Sequence, residues 1–203
     1  MDHAPIPNAA PIPAHYSSLE AVENAAWEFL ALGATSRKSA FHQATVANIG
    51  IDGRVSPRTV VLRGADRAAR RLRFHTDVRS TKVAALKADP RCAMHFYDHD
   101  EKVQVRADGL AIVHHEDERT AHTWEGMRDF SKECYRQPIA PGAVMQAPDE
   151  ANRSLLCDKD GYGNFVLVEV EISAFEWLYL AAAGHRRALV RYGATVDRDW
   201  LAP

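Results

Sequence analysis

From residue 41 onward, apolar and polar residues alternate with a period of two in a series of short segments. This alternation is the pattern of a strand with one face in the core and one in solvent. The Asp52-Gly53 pair between the first two segments is a hairpin turn signal. Because closing a sheet removes its exposed edges, the sequence predicts a mainly β, α+β protein, an antiparallel barrel or sandwich. Eight strands are predicted, at residues 41–49, 55–64, 70–77, 91–98, 102–113, 164–172, 174–181 and 187–192.

Helical periodicity is confined to a few peripheral segments. The clearest spans 18–32, where Ser17 and Glu20 have the spacing of a capping box and Gly33 marks the end. Four prolines within residues 1–16 hold that stretch extended, so we expect a flexible arm there and a single domain over residues 17–203. Three shorter helices are predicted at about 80–89, 116–127 and 149–157.

Composition excludes several classes of protein. Lys and Arg number 25 against 27 Asp and Glu, so the net charge of −2 does not favour bulk binding to nucleic acid or to a membrane surface. The opening residues lack the features of a secretory signal, and no apolar run is long enough to span a membrane, so a cytoplasmic location is expected. The three cysteines form no C-x-x-C pair, and neither His114-His115 with the following Glu116-Asp117 nor the run Asp98-His99-Asp100 contains two histidines four residues apart, so no metal site is predicted.

Positive charge is concentrated locally, between Arg58 and Lys82. This stretch holds nine basic residues when His75 is included. We expect Arg67, Arg70, Arg71 and Arg73, in or beside a hairpin turn, to form a solvated face.

The second strand of this stretch leads into a helix whose predicted N-cap is Ser80. A helix N-terminus presents free N–H groups, and Thr81 and Lys82 add hydroxyl and ammonium donors beside it. Arg58 on the preceding strand can grip phosphate oxygens with two N–H groups. The apolar backbone at 60–62 can lie along a flat ring. The predicted ligand is therefore a phosphate tethered to an aromatic ring system.

Several sequence pieces, in the right order, resemble the pyridoxamine 5′-phosphate oxidase family of FMN-binding split β-barrels. The resemblance covers about residues 20–203 and implies an antiparallel split β-barrel with peripheral helices and a homodimer with FMN at its interface. The matching pieces are RTVVLR (58–63), FHTD and STK within 74–82, ADPR (88–91), VQVRADG (103–109), FEWLYL (175–180), HRR (185–187) and WLAP (200–203).

Carried over residue by residue, the resemblance implies a set of cofactor contacts. The FMN phosphate would be held by Arg58, Ser80, Thr81 and Lys82, with His75 and Thr76 also touching the cofactor. The backbone of Thr59, Val60, Val61, Leu62 and Arg63 would line the isoalloxazine, and Gln104 would hydrogen-bond to the ring. Trp177 and Arg191 would reach in from the other subunit.

The sequence departs from the family where the family's oxidases contact their substrate. An R-x-H motif is expected there, but Arg186 is followed by Arg187 and Ala188. Vitamin B6 oxidation is therefore in question, while Arg63, Lys132 and Arg186 remain candidates for binding an anionic substrate.

The main hypothesis is an FMN-dependent oxidoreductase in which the flavin N5 accepts or donates hydride with a small substrate. A genuine pyridoxamine or pyridoxine 5′-phosphate oxidase and a non-catalytic module that stores or senses flavin remain alternatives. A nucleic-acid-binding barrel using the cluster from Arg63 to Arg73 with Phe74 is a third, disfavoured by the overall acidity.

Overall fold

The computed structural model describes residues 11–151 and 160–203. Its eight strands form one antiparallel sheet in the order β3-β2-β1-β4-β5-β6-β7-β8, and a further pairing of β3 with β6 closes the first six into a barrel. This confirms the predicted mainly β, antiparallel barrel. The strands are β1 Gln43–Ile49, β2 Val55–Asp66, β3 Arg71–Asp77, β4 Arg91–Asp98, β5 Val103–His114, β6 Phe165–Tyr179, β7 Arg186–Tyr192 and β8 Val196–Leu201.

The barrel interior is filled by alternate residues of the strands. On β3, Leu72 and Phe74 are fully buried and Thr76 is nearly so, as the period-two pattern predicts. The central strand β6 pairs with β5 over Leu167–Tyr179. Its first half also pairs with β3, and its second half pairs with β7. It therefore joins the closed barrel to the open extension formed by β7 and β8.

Two strand predictions need correction. The segments 164–172 and 174–181 form one strand, β6, in which Ser173 is an extra residue opposite the step from Asp108 to Gly109. Such a bulge shifts the alternation by one residue without ending the strand. The last strand, β8, was not predicted.

The helices lie on the outside of the barrel, at α1 Leu19–Thr35, α2 Thr81–Ala88, α3 Glu118–Glu125 and α4 Asp129–Lys132. The N-cap of α1 is Ser18 rather than Ser17, since the Ser18 side chain accepts from the Ala21 N–H. The helix also runs past Gly33, where a Cβ would lie 2.6 Å from the Phe41 backbone. Gly33 therefore permits close packing and does not end the helix.

Two of the predicted segments lie partly outside the described residues. Residues 1–10 of the predicted arm lie outside the described residues, and Ala14–Ser17 form a 3₁₀ turn whose Tyr16 is buried against Trp177 and Tyr179. Tyr16 thus belongs to the core. Of the helix predicted at 149–157, the described part lies in a 3₁₀ turn, Pro148–Ala151, and the rest lies outside the described residues.

Among the helices that the structure describes, none combines the length and apolar character needed to cross a membrane.

Candidate functional site

The barrel is split between β2 and β3. The two strands pair only over Leu62–Asp66 of β2, although β2 begins at Val55 and β3 continues to Asp77. The β2 backbone before Leu62 has no partner from β3 on that edge. Edge backbone groups without a strand partner are free to bind a ligand or water. The split therefore exposes backbone donors and acceptors of Thr59 to Val61, the segment predicted to line a flat ring.

A polar cluster lies at the mouth of this split. The Lys82 ammonium, in the first turn of α2, donates to Ser80 Oγ at 2.6 Å and to Thr76 Oγ1 at 3.0 Å. Ser80 is the N-cap residue as predicted, but its side chain makes no capping bond to the helix backbone. These contacts hold the ammonium beside the open N-terminus of α2. We call Arg58, Thr76, Ser80 and Lys82 the phosphate cradle.

Arg58 is held from the β1–β2 side of the split. Its guanidinium donates to Asn48 Oδ1 and, at 2.5 Å, to Ser56 Oγ. Burial lowers the pKa of Arg58, and burial followed by the charge of Arg58 lowers the pKa of Lys82. The two cations are thus close enough to repel each other.

Neither cation is neutralised by a carboxylate within the described part of the chain. No ion pair involves Arg58 or Lys82, and the nearby Asp77 is already bonded to Arg79 at 2.7 Å. Two partly buried cations beside free helix N–H groups fit a phosphate dianion, because it would relieve their repulsion and satisfy their donors. The residues present therefore suit the phosphate of FMN.

The cradle opens into a cleft bordered by the turn between β1 and β2. Arg58, Thr81 and Lys82 line this cleft, and Asp52 and Arg54 lie on its outer wall. The structure therefore brings together Arg58, Thr76, Ser80, Thr81 and Lys82, as the sequence predicts.

A second cleft lies on the outer face of β2 and β3, and we call it the His75 cleft. Arg63, His75, Cys134 and Tyr135 are among its lining residues. Burial, followed by the charges of Arg63 and Arg73, lowers the pKa of His75 to about 3, so the imidazole is neutral at physiological pH. Its Nε2 is buried and has no hydrogen-bond partner in the described structure. The cleft thus offers a cation and an unsatisfied neutral imidazole side by side.

The remaining predicted cofactor residues lie away from the cradle in this chain. Val60 and Leu62 point into the core, so only their backbone is available, as expected. Gln104 is on β5, three strands from β2 in either direction around the barrel, and so lies on the opposite side of it. Trp177 is fully buried against Tyr16 and Tyr179, a position that gives a flavin no access unless that packing opens.

Arg191 and two of the three predicted substrate residues are also separate. Arg191 is exposed and pairs with Asp199 at 2.7 Å on the β7–β8 extension. Lys132 lies over the Trp124 ring and beside Asp129, next to the His75 cleft but not on its lining. Arg186 lies near His185 and Trp200 in a cleft of its own. Only Arg63 of the proposed substrate residues lines the His75 cleft.

Sequence reasoning missed the residues that hold the cradle in place. Asn48 and Ser56 position Arg58, and Asn48 is 3% exposed on β1. A polar residue at a buried position of an alternating strand was the available signal. Of the expected solvated face, only Arg67 is fully exposed. Arg70 is partly exposed and lies over the Tyr192 ring, and Arg71 and Arg73 are partly exposed and line a cleft.

No group of three or more His, Cys, Asp and Glu side chains within residues 11–151 and 160–203 is arranged to hold a metal ion.

Comparison with known proteins decides the family. Residues 24–115 match the sequence model described as "Pyridoxamine 5′-phosphate oxidase, FMN-binding domain". A pyridoxine/pyridoxamine 5′-phosphate oxidase of Xanthomonas axonopodis pv. citri is 31% identical over 193 residues, covering 85% of this chain and 91% of that protein. The chain belongs to the pyridoxamine 5′-phosphate oxidase family. FMN is the cofactor of the domain that the family model describes.

Other members of the pyridoxamine 5′-phosphate oxidase family match over a shorter length. Pyridoxine/pyridoxamine 5′-phosphate oxidase 2 of Arabidopsis thaliana is 38% identical over 92 residues, which are 44% of this chain and 46% of that protein. In that alignment the chain spans about half the length of its relative, and shorter alignments with two bacterial oxidases cover 30% and 29% of those proteins.

Solved structures show the same fold. A pyridoxamine 5′-phosphate oxidase-related, FMN-binding protein of Nostoc punctiforme superposes with a TM-score of 0.75 at 21% identity, covering 89% of this chain and 96% of its own. PhzG of Burkholderia lata, solved with tetrahydrophenazine-1-carboxylic acid, gives 0.73 at 20% identity, covering 95% and 98%. At this identity the likeness establishes the split β-barrel fold.

Proposed function

We propose that this chain is an FMN-dependent oxidoreductase acting on a small anionic substrate, as a homodimer in the cytoplasm. The observation that carries the proposal is the unneutralised pair of cations, Arg58 and Lys82, at the mouth of the split between β2 and β3. When bound, FMN supplies hydride acceptance or donation at its N5. The protein then needs only to bind and orient the reactants and to keep water away.

The roles of the chain's own residues follow from their positions. Arg58, Ser80, Thr81 and Lys82 bind the phosphate, with Thr76 holding Lys82 in place. The backbone edge from Thr59 to Val61, which has no partner from β3, is placed to donate hydrogen bonds to a ring lying in the split. Donors fixed in this way stabilise negative charge that develops on the ring during reduction.

The His75 cleft is the proposed substrate site. Arg63 attracts an anionic group, and the neutral imidazole of His75 lies beside it on the wall of the cleft. Lys132 and Arg186 do not line this cleft within one chain, so their contribution requires movement or a second chain.

Two features support the homodimer. Gln104 lies on the opposite side of the barrel from β2, so the contact with the flavin ring that the resemblance implies would come from a second copy. The ends of β1, β2 and β5 also expose apolar side chains, with Val55 at 68% and Leu110 at 51% exposure around a mainly apolar cleft. An exposed apolar patch of this kind is typical of an interaction surface. Sedimentation equilibrium of the wild type and of Leu110→Glu tests this part of the proposal.

The visible spectrum tests FMN binding. Protein incubated with FMN and desalted should retain the yellow flavin absorbance, and mass spectrometry of the heat-released compound should identify FMN. Arg58→Gln and Lys82→Gln should each lose the retained flavin while their circular dichroism is unchanged. Lys87→Gln, which alters an exposed residue of α2 outside the cradle, should retain it. A colourless wild-type protein under these conditions contradicts the proposal.

Turnover separates the proposed enzyme from a flavin-storage module. An oxidoreductase should show bleaching of bound FMN by a substrate, tested with NADH, NADPH and anionic amines, and reoxidation by an acceptor. Tight FMN binding without any bleaching favours storage.

Oxidation of pyridoxamine 5′-phosphate is the second candidate function. The 31% identity to the Xanthomonas oxidase over nearly all of that protein favours it. The absence of the R-x-H motif after Arg186 argues against it. Formation of pyridoxal 5′-phosphate by the FMN-loaded protein, followed at its own absorbance, distinguishes this activity from oxidation of other anionic substrates.

A further inference from the structure

Another cleft lies between the C-terminal end of α1 and the β2–β3 hairpin, and we call it the arginine cleft. Four arginines line it: Arg63, Arg71, Arg73 and Arg119. The opposite wall consists mainly of small residues, among them Ala31 and Ala34 of α1. Its volume of about 570 Å³ is within the range of small-molecule sites.

Two of these arginines are neutralised within the chain. Arg71 and Arg119 both donate to the same oxygen, Oε2 of the buried Glu169, at 3.3 Å and 2.8 Å. Arg71 also bonds to Glu171 at the rim, at 3.2 Å. A single carboxylate shared by two guanidinium groups leaves each of them with unused donors, and the Arg71 Nε is buried with no partner among the described residues.

The other two arginines have no carboxylate partner. Within residues 11–151 and 160–203, neither Arg63 nor Arg73 forms a hydrogen bond or ion pair through its side chain. The second acidic lining residue, Asp66, uses its Oδ1 to accept the Ala69 N–H in the hairpin turn. Grouping like charges in a cleft disfavours the folded state, and such groupings are characteristic of functional sites.

Arg73 is also held in position by its neighbour across the hairpin. A Cβ on Gly64 would lie 2.8 Å from Arg73 Nε and 2.9 Å from Nη2, so the guanidinium lies directly against the β2 backbone. The absence of a side chain at Gly64 leaves room for the planar guanidinium group, and contact with the β2 backbone restricts its movement. The Arg73 side chain therefore loses less conformational entropy when a ligand binds.

We propose that the arginine cleft is a second anion-binding site, in which Arg73, Arg63 and Arg119 bind the phosphate or carboxylate group of a small metabolite. The site lies apart from the phosphate cradle and does not depend on the proposed FMN chemistry. Guanidinium groups suit both anions, because each presents paired oxygens to a planar fork of N–H donors. Arg63 lines the His75 cleft as well, so it borders both clefts.

Calorimetric titration at low ionic strength tests the site, with inorganic phosphate and succinate as separate probes. FMN-saturated protein is used, so that the cradle is already filled. The Arg58→Gln/Lys82→Gln variant, in which the cradle no longer competes for phosphate, is titrated in parallel without FMN. This second arm tests the arginine cleft even if FMN does not bind.

One anion per chain is expected to bind in both arms. Arg73→Gln should weaken the preferred probe about tenfold, and Arg73→Gln/Arg119→Gln should abolish binding. Lys87→Gln, which alters an exposed residue of α2 that lines none of the clefts, should bind as the wild type does. Preference for one probe identifies phosphate or carboxylate as the ligand group. Binding of neither probe, or unchanged binding by the Arg73→Gln/Arg119→Gln variant with intact circular dichroism, overturns the proposal.

Discussion

The Lys82 ammonium lies 3.0 Å from the hydroxyl oxygen of Thr76, a contact that joins the first turn of α2 to the end of β3. It fixes a positive charge at the point where β2 and β3 separate. Because burial and Arg58 both lower the pKa of Lys82, this charge is unfavourable until an anion is bound. Binding and stability are therefore opposed at this residue.

Lys82→Met should reduce FMN affinity about 100-fold, since it removes a charge-assisted contact to phosphate worth about 2–3 kcal/mol. The free energy of unfolding of the FMN-free protein should stay the same or rise, because a partly buried charge is lost. Flavin fluorescence titration and urea unfolding measure the two effects. Lys87→Met, on the exposed side of the same helix, should alter neither. Parallel losses of affinity and stability in Lys82→Met would indicate a merely structural lysine.

The cradle could be predicted from the sequence because its key residues follow local rules. Ser80 and Lys82 are placed by the start of α2, and Arg58 by the alternation of β2. The alternation of β1 could have marked Asn48 as a buried polar residue, but not its bond to Arg58, which depends on the register of β1 against β2. Gln104 and Trp177 illustrate a further limit, since a contact with a second chain, as proposed for them, would leave no pattern in one sequence.

His75 gives the protein a defined acid sensitivity. Its pKa is about 3 in the folded chain against an ordinary 6.5, so unfolding takes up a proton between these values. The resulting stability is complete above pH 6.5 and is lost as the pH falls toward 3. Between pH 7 and pH 5 the FMN-free wild type should lose about 2 kcal/mol more than His75→Phe, which cannot titrate there.

Urea unfolding of both proteins at several pH values measures this difference, in which the contributions of the other histidines cancel. Stability curves for the wild type and His75→Phe that run parallel from pH 7 to pH 5 would show that the folded imidazole titrates normally.

A buried polar network attaches α1 to the β7–β8 extension. The Tyr192 hydroxyl accepts from Trp27 Nε1 at 2.7 Å and donates to Glu23 at 3.0 Å, and Arg198 Nε donates to Glu23 at 2.6 Å. Tyr192→Phe leaves the indole N–H without its partner and Glu23 with one donor fewer. The free energy of unfolding should fall by about 1–3 kcal/mol.

Thermal or urea unfolding checks this prediction. Tyr97→Phe removes a hydroxyl from a residue that is 40% exposed, so it should change stability by less than about 0.5 kcal/mol. Equal effects of the two substitutions would mean that the network around Glu23 contributes no net stability.

The predicted count of eight strands agrees with the structure only because two errors cancel: β6 was predicted as two strands, and β8 was missed. In β6, Ser173 interrupts the alternation that defines a strand, and the sequence pattern cannot distinguish a bulge from a turn. The outermost strand, β8, alternates charged residues such as Asp197 and Asp199 with only partly buried ones. A strand at the open edge of the extension needs no deeply buried face, so it carries little periodic signal.

The bulge also makes a single glycine essential to the barrel. A Cβ on Gly109 would lie 2.2 Å from the Glu171 carbonyl oxygen, which is strand backbone and cannot move aside without disrupting the pairing of β5 with β6. Gly109→Ala should lower the free energy of unfolding by about 2–4 kcal/mol. Gly126→Ala is the matched control, since the nearest atom to its Cβ would be 3.8 Å away and its φ of −75° suits any residue. Urea unfolding compares the two variants, and a Gly109→Ala protein as stable as Gly126→Ala would show that β5 and β6 are not in close contact at the bulge.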